Sequence, residues 1–179
     1  EDSTTGTIYK AQDDWGDTYY FAGNPTDNWV RFAGFYWRII RINGDGSIRM
    51  IYQGASANTT GTGTQIQTSA FNSSYNSSEY VGYMYTTNQQ HGNTTNSTIK
   101  GILDTWYSNN LKSYADKIST EAGFCGDREM ASGSSWSSTP SSTIYYAGYG
   151  RLAQSSGNVN PTFKCSNSSD LYTTSSSSK

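Results

Sequence analysis

The chain has 179 residues, enough for one domain with a core of its own, and 12 Lys and Arg against 14 Asp and Glu leave a formal charge of −2. No global field of that size gathers nucleic acid or an anionic membrane, which sets aside binding modes built on bulk positive charge. Charged residues are only 15% of the chain while Ser, Thr, Asn, Gly and Tyr abound, a composition that points to an extracellular or cell-surface setting. So polar a chain stays disordered unless it has large apolar groups to bury, and 5 Trp, 15 Tyr and 6 Phe supply them as rings.

The first expected elements are strands over 18–22, 28–33, 35–42 and 47–52, read together as an N-terminal antiparallel β-meander over residues 1–53. Asn43-Gly44-Asp45-Gly46 between the last two strands predicts a tight hairpin, because Asn-Gly and Asp-Gly reach positive φ at little cost. At period two, Trp37, Ile39 and Arg41 share one face and Tyr36, Arg38, Ile40 and Ile42 the other. Each face mixes arginine with rings or isoleucine, so the arginine stems are expected to lie across rings with their heads in water or on carboxylates, rather than to form a dedicated anion site.

Residues 54–95 read as polar loops with a short strand over 80–85 ("YVGYMY"), and with Phe71 and Tyr75 as isolated rings in the loop before it. A helix is expected over 96–120, where Ile99, Ile102, Leu103, Trp106, Tyr107, Leu111, Tyr114 and Ile118 recur at steps of three and four. Asn96, Ser97 or Thr98 can cap its start, and Asn109-Asn110 offers a place for it to split. Packing Leu103 and Trp106 of this long amphipathic helix on the meander would contribute about 4 to 6 kcal/mol and make the fold α+β.

Residues 121–172 read as an irregular region held by one disulfide, and 173–179 as a linker-like tail. Cys125 and Cys165 are the only thiols and lack CxxC spacing and a companion histidine, so no metal or cofactor is expected there. Joined in an oxidising compartment they would close a long loop, a constraint of about 3 to 4 kcal/mol; two free thiols are the alternative. The chain opens at Glu1-Asp2-Ser3 and sustains no run of the roughly 18 apolar residues that a spanning helix requires. No membrane contact by this segment is expected, any export or anchoring segment having been removed.

Catalytic patterns are sparse. His91, the sole histidine, sits in "NQQHGN" and reads as a solvated loop residue, while a Ser-His-Asp device or a histidine metal site would depend on it. Asp127, Arg128 and Glu129 form the densest charged spot and read as a local salt-bridge cluster beside Cys125. Asp13, Asp14 and Asp17, or Asn43 with Asp45, lack the ligand spacing of a calcium loop. The acidic balance argues against arginines and rings stacking on single-stranded nucleic acid. Rings remain: Tyr75, Tyr83, Tyr85, Trp136, Tyr145 and Tyr149 are the candidate contacts, either to a ligand such as a sugar or to another subunit.

The blocks "NWVRFAGFYWRIIRINGDGSIRMI", "YVGYMY", "NSTIKGILDTWYSNNLKSY", "GFCGDRE", "YGRL" and "PTFKCSNSSDLYT" resemble, in that order, an uncharacterised extracellular module of Gram-positive bacterial surface and pilin-like exoproteins. The resemblance implies a surface location after a single hydrophobic export or prepilin-type segment, and paired cysteines at Cys125 and Cys165. It brings no catalytic residues with it. Relatives continue past the "DLYT" block into a C-type-lectin-like part where this chain carries a serine-rich tail, which implies a self-sufficient fold or strands lent by a neighbouring subunit. The expected function is therefore a non-catalytic structural module of a cell-surface appendage or filament, self-associating and without nucleic-acid partners. A carbohydrate-binding adhesin is the alternative, and a hydrolase of unknown type the third reading.

Overall fold

The computed structural model describes residues 8–23, 25–74, 77–149 and 162–174. They fall into two compact units, one of Glu1–Thr68 with Ser108–Ser119 and one of Ser69–Tyr107 with Thr120–Lys179.

The first unit is an antiparallel sheet of β1 (Ile8–Asp13), β2 (Gly16–Phe21), β3 (Trp29–Phe32), β4 (Phe35–Ile42) and β5 (Ile48–Gly54). Strand β4 is its spine. Along one edge it pairs with β5 from Tyr36 to Ile42, with bulges that shift the register twice. Its other edge is shared, since β3 pairs with residues 35–38 and β2 with Arg41 and Ile42. This corrects the meander: β2 skips β3 and pairs with β4, and β1, which sequence reading missed, extends the sheet beyond β2.

Turn chemistry explains the hairpins. Ala33 (φ 52°) and Gly34 (φ 83°) both take the left-handed region, as a two-residue β3–β4 turn demands. In the β4–β5 turn, Gly46 N–H donates to Asn43 O (2.9 Å), Asn43 N–H to Ser47 O (2.8 Å), and Gly46 sits at φ 85°. The expected Asn-Gly-Asp-Gly hairpin is thus present. Rings and arginines interleave on β3 and β4, but the heads of Arg38 and Arg41 reach amide and carbonyl oxygens of Asn28, Pro25 and Asn43, not the water or carboxylates expected. Arg38 lies 4.6 Å from the centre of the Trp29 ring and donates to Asn28 Oδ1 (2.5 Å), while Arg31 lies 5.8 Å from the Tyr36 ring.

Helix α1 spans Thr98–Asn110, little more than half the expected length. Ser97, one of the expected caps, accepts the Lys100 N–H on Oγ (3.1 Å). After Asn109-Asn110, both weak helix formers, the chain passes into a 3-10 segment, Lys112–Lys117, in which Tyr114 (φ −110°, ψ 16°) is not helical. One long helix over 96–120 is therefore not found: the expected span is an α-helix followed by a 3-10 segment. The helix buries Lys100, whose ammonium pairs with Asp104 (2.6 Å) and lies 5.8 Å from the Tyr172 ring, while Ile99, Ile102, Leu103, Trp106 and Tyr107 are half-exposed. Tyr114 packs beside a sheet ring, 5.5 Å from Phe32.

The second unit has little regular structure. Two-residue pairs join β6 (Met84–Tyr85) to β7 (Thr95–Asn96) and β8 (Phe124–Cys125) to β9 (Leu171–Tyr172), with 3-10 turns at Ser78–Tyr80 and Ser168–Asp170. Cys125 and Cys165 form the disulfide, Cα–Cα 5.3 Å. Among the described residues, only Met84 and Leu111 are buried hydrophobics, while Asp13, Thr18, Asn93, Ser97, Arg128 and Asp170 are nearly inaccessible. The interiors are therefore built from hydrogen-bonded polar groups, each of which must find its partner to be buried at tolerable cost.

Candidate functional site

In the second unit the polar interior converges on Arg128. Its guanidinium donates to the carbonyls of Gln90 (2.5 Å), Gln89 (2.8 Å), Glu79 (3.1 Å) and Val81, and Gln90 Nε2 returns a bond to the Arg128 carbonyl (2.7 Å). Burial lowers the Arg128 pKa, against the pull of Tyr146, Asp170 and Glu79. Four carbonyls on one planar fork use the feature of arginine that lysine lacks.

Beside it, Asn167 caps the 3-10 turn Ser168–Asp170 by accepting the Ser169 N–H (2.9 Å), and so presents Asp170 to its neighbours. Asp170 Oδ2 accepts the Glu129 N–H (2.7 Å), and its carbonyl accepts the Gly126 N–H (2.7 Å). His91 stands between two carboxylates, with Nδ1 3.0 Å from Asp170 Oδ1, out of line for a hydrogen bond, and Nε2 3.3 Å from Glu129 Oε2. Asn167 Nδ2 also donates to Glu129 Oε2 (2.7 Å). Burial pushes the Asp170 carboxyl above its ordinary value, with the Glu129 N–H and His91 pulling it back in part.

Two expectations need correcting here. His91 is not a solvated loop residue, because chain reversal brings two acids from far downstream onto its ring. Nor do Asp127, Arg128 and Glu129 pair with one another: Arg128 turns inward to carbonyls, Glu129 goes to His91 and Asn167, and Asp127 (φ 53°) packs against Gly148, where an added Cβ would come within 3.1 Å of the carboxyl. No local motif announces this arrangement. Both imidazole nitrogens face carboxylates, so the cluster brings three segments of the chain together.

The candidate rings are scattered. Tyr83 packs on Tyr172 (5.9 Å), and its hydroxyl is pushed up to about 12 by burial and then by Asp104. Tyr85 on β6 packs on Tyr80 (4.8 Å). Trp136 is half-buried, and its inaccessible indole N–H lies beside the Tyr146 hydroxyl, which itself donates to Ser78 O (2.9 Å). Tyr145 and Tyr149 are exposed and lie in tilted contact with each other (5.1 Å). Tyr75 lies outside the described residues.

Within the sheet unit, Asp13 joins two hairpin tips. One carboxylate oxygen accepts the Trp15 N–H and the other the Gly44 N–H, each at 2.9 Å. Arg41 and Arg49 face each other across β4 and β5, and Asn43 Oδ1 accepts from both (3.2 and 3.1 Å). Burial, then the charge of Arg41, brings Arg49 down to about 10.

The opposite face of the same strands is the surface that sequence reading missed. Cross-strand register aligns Lys10, Tyr19, Ile42 and Ile48 in a row over β1, β2, β4 and β5, with Ile8 and Phe21 beside it. Ile8 is 58% exposed, Ile48 55%, Ile42 41% and Tyr19 41%, and the Lys10–Asp17 ion pair (2.5 Å) borders them. The available signal was the alternation of Tyr19, Ile42 and Ile48 with Tyr20, Arg41 and Arg49.

Among the described residues no helix is long and apolar enough to cross a membrane. Comparison with protein-family models, with curated proteins and with solved structures finds no match.

Proposed function

We propose that the chain is a non-catalytic extracellular structural module that self-associates through the exposed face of its sheet, as a building block of a cell-surface appendage or filament. The observation that carries this reading is the apolar row of Tyr19, Ile42 and Ile48 with Ile8, left in water by a sheet that has isoleucines to bury. Strands β1 and β5 each pair along one edge only among the described residues, so edge-to-edge addition of another strand supports the same reading. The disulfide agrees with an oxidising compartment. His91, whose two nitrogens face Glu129 and Asp170, supports a structural rather than a hydrolytic role for the densest polar cluster.

Sedimentation velocity and negative-stain microscopy test the proposal on the chain and on an Ile42→Lys, Ile48→Glu double variant. Concentration-dependent oligomers or regular filaments are expected from the parent, and monomers with an unchanged circular dichroism spectrum from the variant. A parent that stays monomeric over the whole soluble range, or a variant that assembles equally well, overturns it.

A further inference from the structure

The second unit contains a half-open cleft of about 720 Å³ lined by residues of 70–74, 77–82 and 140–146, inside the size range of small-ligand sites, roughly 300–1,000 Å³. Its lining has a distinct chemistry: among the described residues no Lys, Arg, His, Asp or Glu contributes to it. Phe71, Tyr80 and Tyr146 supply rings, while Ser77, Ser142 and Thr143 supply hydroxyls that make no hydrogen bond within the described chain.

The rings are held in place before any ligand arrives. Tyr146 is fixed by its hydroxyl bond to Ser78 O (2.9 Å), and Tyr80 by its tilted ring contact with Tyr85 (4.8 Å). Asn72 braces the wall, donating to Tyr80 O (3.0 Å) and accepting the Thr98 N–H (3.4 Å) at the start of α1, which also bonds back to Phe71 O through the Ile99 N–H (3.1 Å). Phe71 is braced through its backbone, yet its side chain remains 53% exposed. Preorganised walls of this kind lower the ordering cost of binding.

From these features we infer that the cleft binds a short segment of neutral oligosaccharide. A sugar ring presents a C–H face suited to a fixed aromatic side chain and a rim of hydroxyls that both donate and accept, matching the unused Ser and Thr hydroxyls. Among the described lining residues an anionic or cationic ligand finds no counter-charge, since the guanidinium of Arg128 behind the wall is taken up by backbone carbonyls, and a purely apolar ligand leaves those hydroxyls unpaired. This site lies in the second unit and is independent of the assembly proposed for the sheet face.

Isothermal titration and chemical-shift mapping test it with chitotetraose, cellotetraose, maltotetraose and mannotetraose, and with an acidic oligogalacturonide as the charged comparison. Saturable binding of at least one neutral tetrasaccharide is expected, with shifts confined to the segments 70–82 and 140–146. Phe71→Ala, at an exposed position that folding tolerates, is expected to weaken binding at least tenfold, and Thr143→Val to weaken it severalfold. The Ile42→Lys, Ile48→Glu variant should bind as the parent does, so failure of assembly and failure of this site are told apart. Absence of saturable binding to every neutral probe, preference for the acidic one, or full affinity in a correctly folded Phe71→Ala protein overturns the inference.

Discussion

In the sheet unit main-chain ladders carry the order, and in the disulfide-bonded unit side chains carry it. Strands β1 to β5 satisfy one another's backbone groups, leaving arginines free to cover rings and isoleucines to face water. Strands β6 to β9 are two residues each, and four carbonyls of the 79–90 segment, those of Glu79, Val81, Gln89 and Gln90, share a single guanidinium. The difference shows two ways in which a chain poor in aliphatic residues can fold. A ladder spreads the cost of a lost contact over many bonds, whereas a hub concentrates it on one residue.

Arg128→Met breaks the contrast at its sharpest point. It strands four carbonyls and is expected to destabilise the second unit by roughly 4 to 5 kcal/mol. The near-ultraviolet signal of that unit should melt first while the strand signal of the sheet persists in far-ultraviolet circular dichroism. A loss below about 1 kcal/mol would show that water or neighbouring donors replace the hub. Gly44→Ala probes the sheet unit instead. Its new Cβ would stand 2.5 Å from Asp13 Oδ1 and 2.6 Å from Gly16 N, and urea unfolding should register about 2 kcal/mol of overpacking.

The smallest effect concerns acid. Because the Asp170 pKa is raised on folding from its ordinary 3.8, the folded state holds more protons than the unfolded one in the window just above that value. The residue's contribution to stability therefore falls as pH rises through the window. Asp170→Asn should flatten that part of the profile of unfolding free energy against pH, whatever it does to the absolute value. An unchanged slope would mean that the carboxyl titrates alike in both states.

Sequence made parts of the fold plain for local reasons. Strand β4 is dense in Ile, Trp and Tyr, its turn carries two Asn/Asp-Gly steps, Ser97 has a helix start directly after it, and Asn109-Asn110 marks its end. The two cysteines had only each other to pair with. What stayed hidden is non-local. "IYKAQD" of β1 alternates too weakly to announce a strand, and pairing of β2 with β4 rather than β3 leaves no mark in either segment. The helix period is genuine, yet Lys100 takes the buried position because Asp104 and Tyr172 neutralise and cover it. The partners of His91 and the walls of the cleft likewise come from segments far apart in the chain.

The shared edge of β4 has a consequence for motion. The β1–β2 hairpin is joined to the spine by two rungs, Tyr19–Ile42 and Tyr20–Arg41, reinforced by the Thr18 hydroxyl on Ile42 O (2.6 Å) and by Asp13 on Gly44. The β4–β5 pair is joined over most of its length. Amide protons at the centre of β4 therefore belong to the last unit to open, and those that bond β1 to β2 survive as a pair when the seam parts. Such a register favours the swing of one intact hairpin on a narrow hinge over fraying strand by strand.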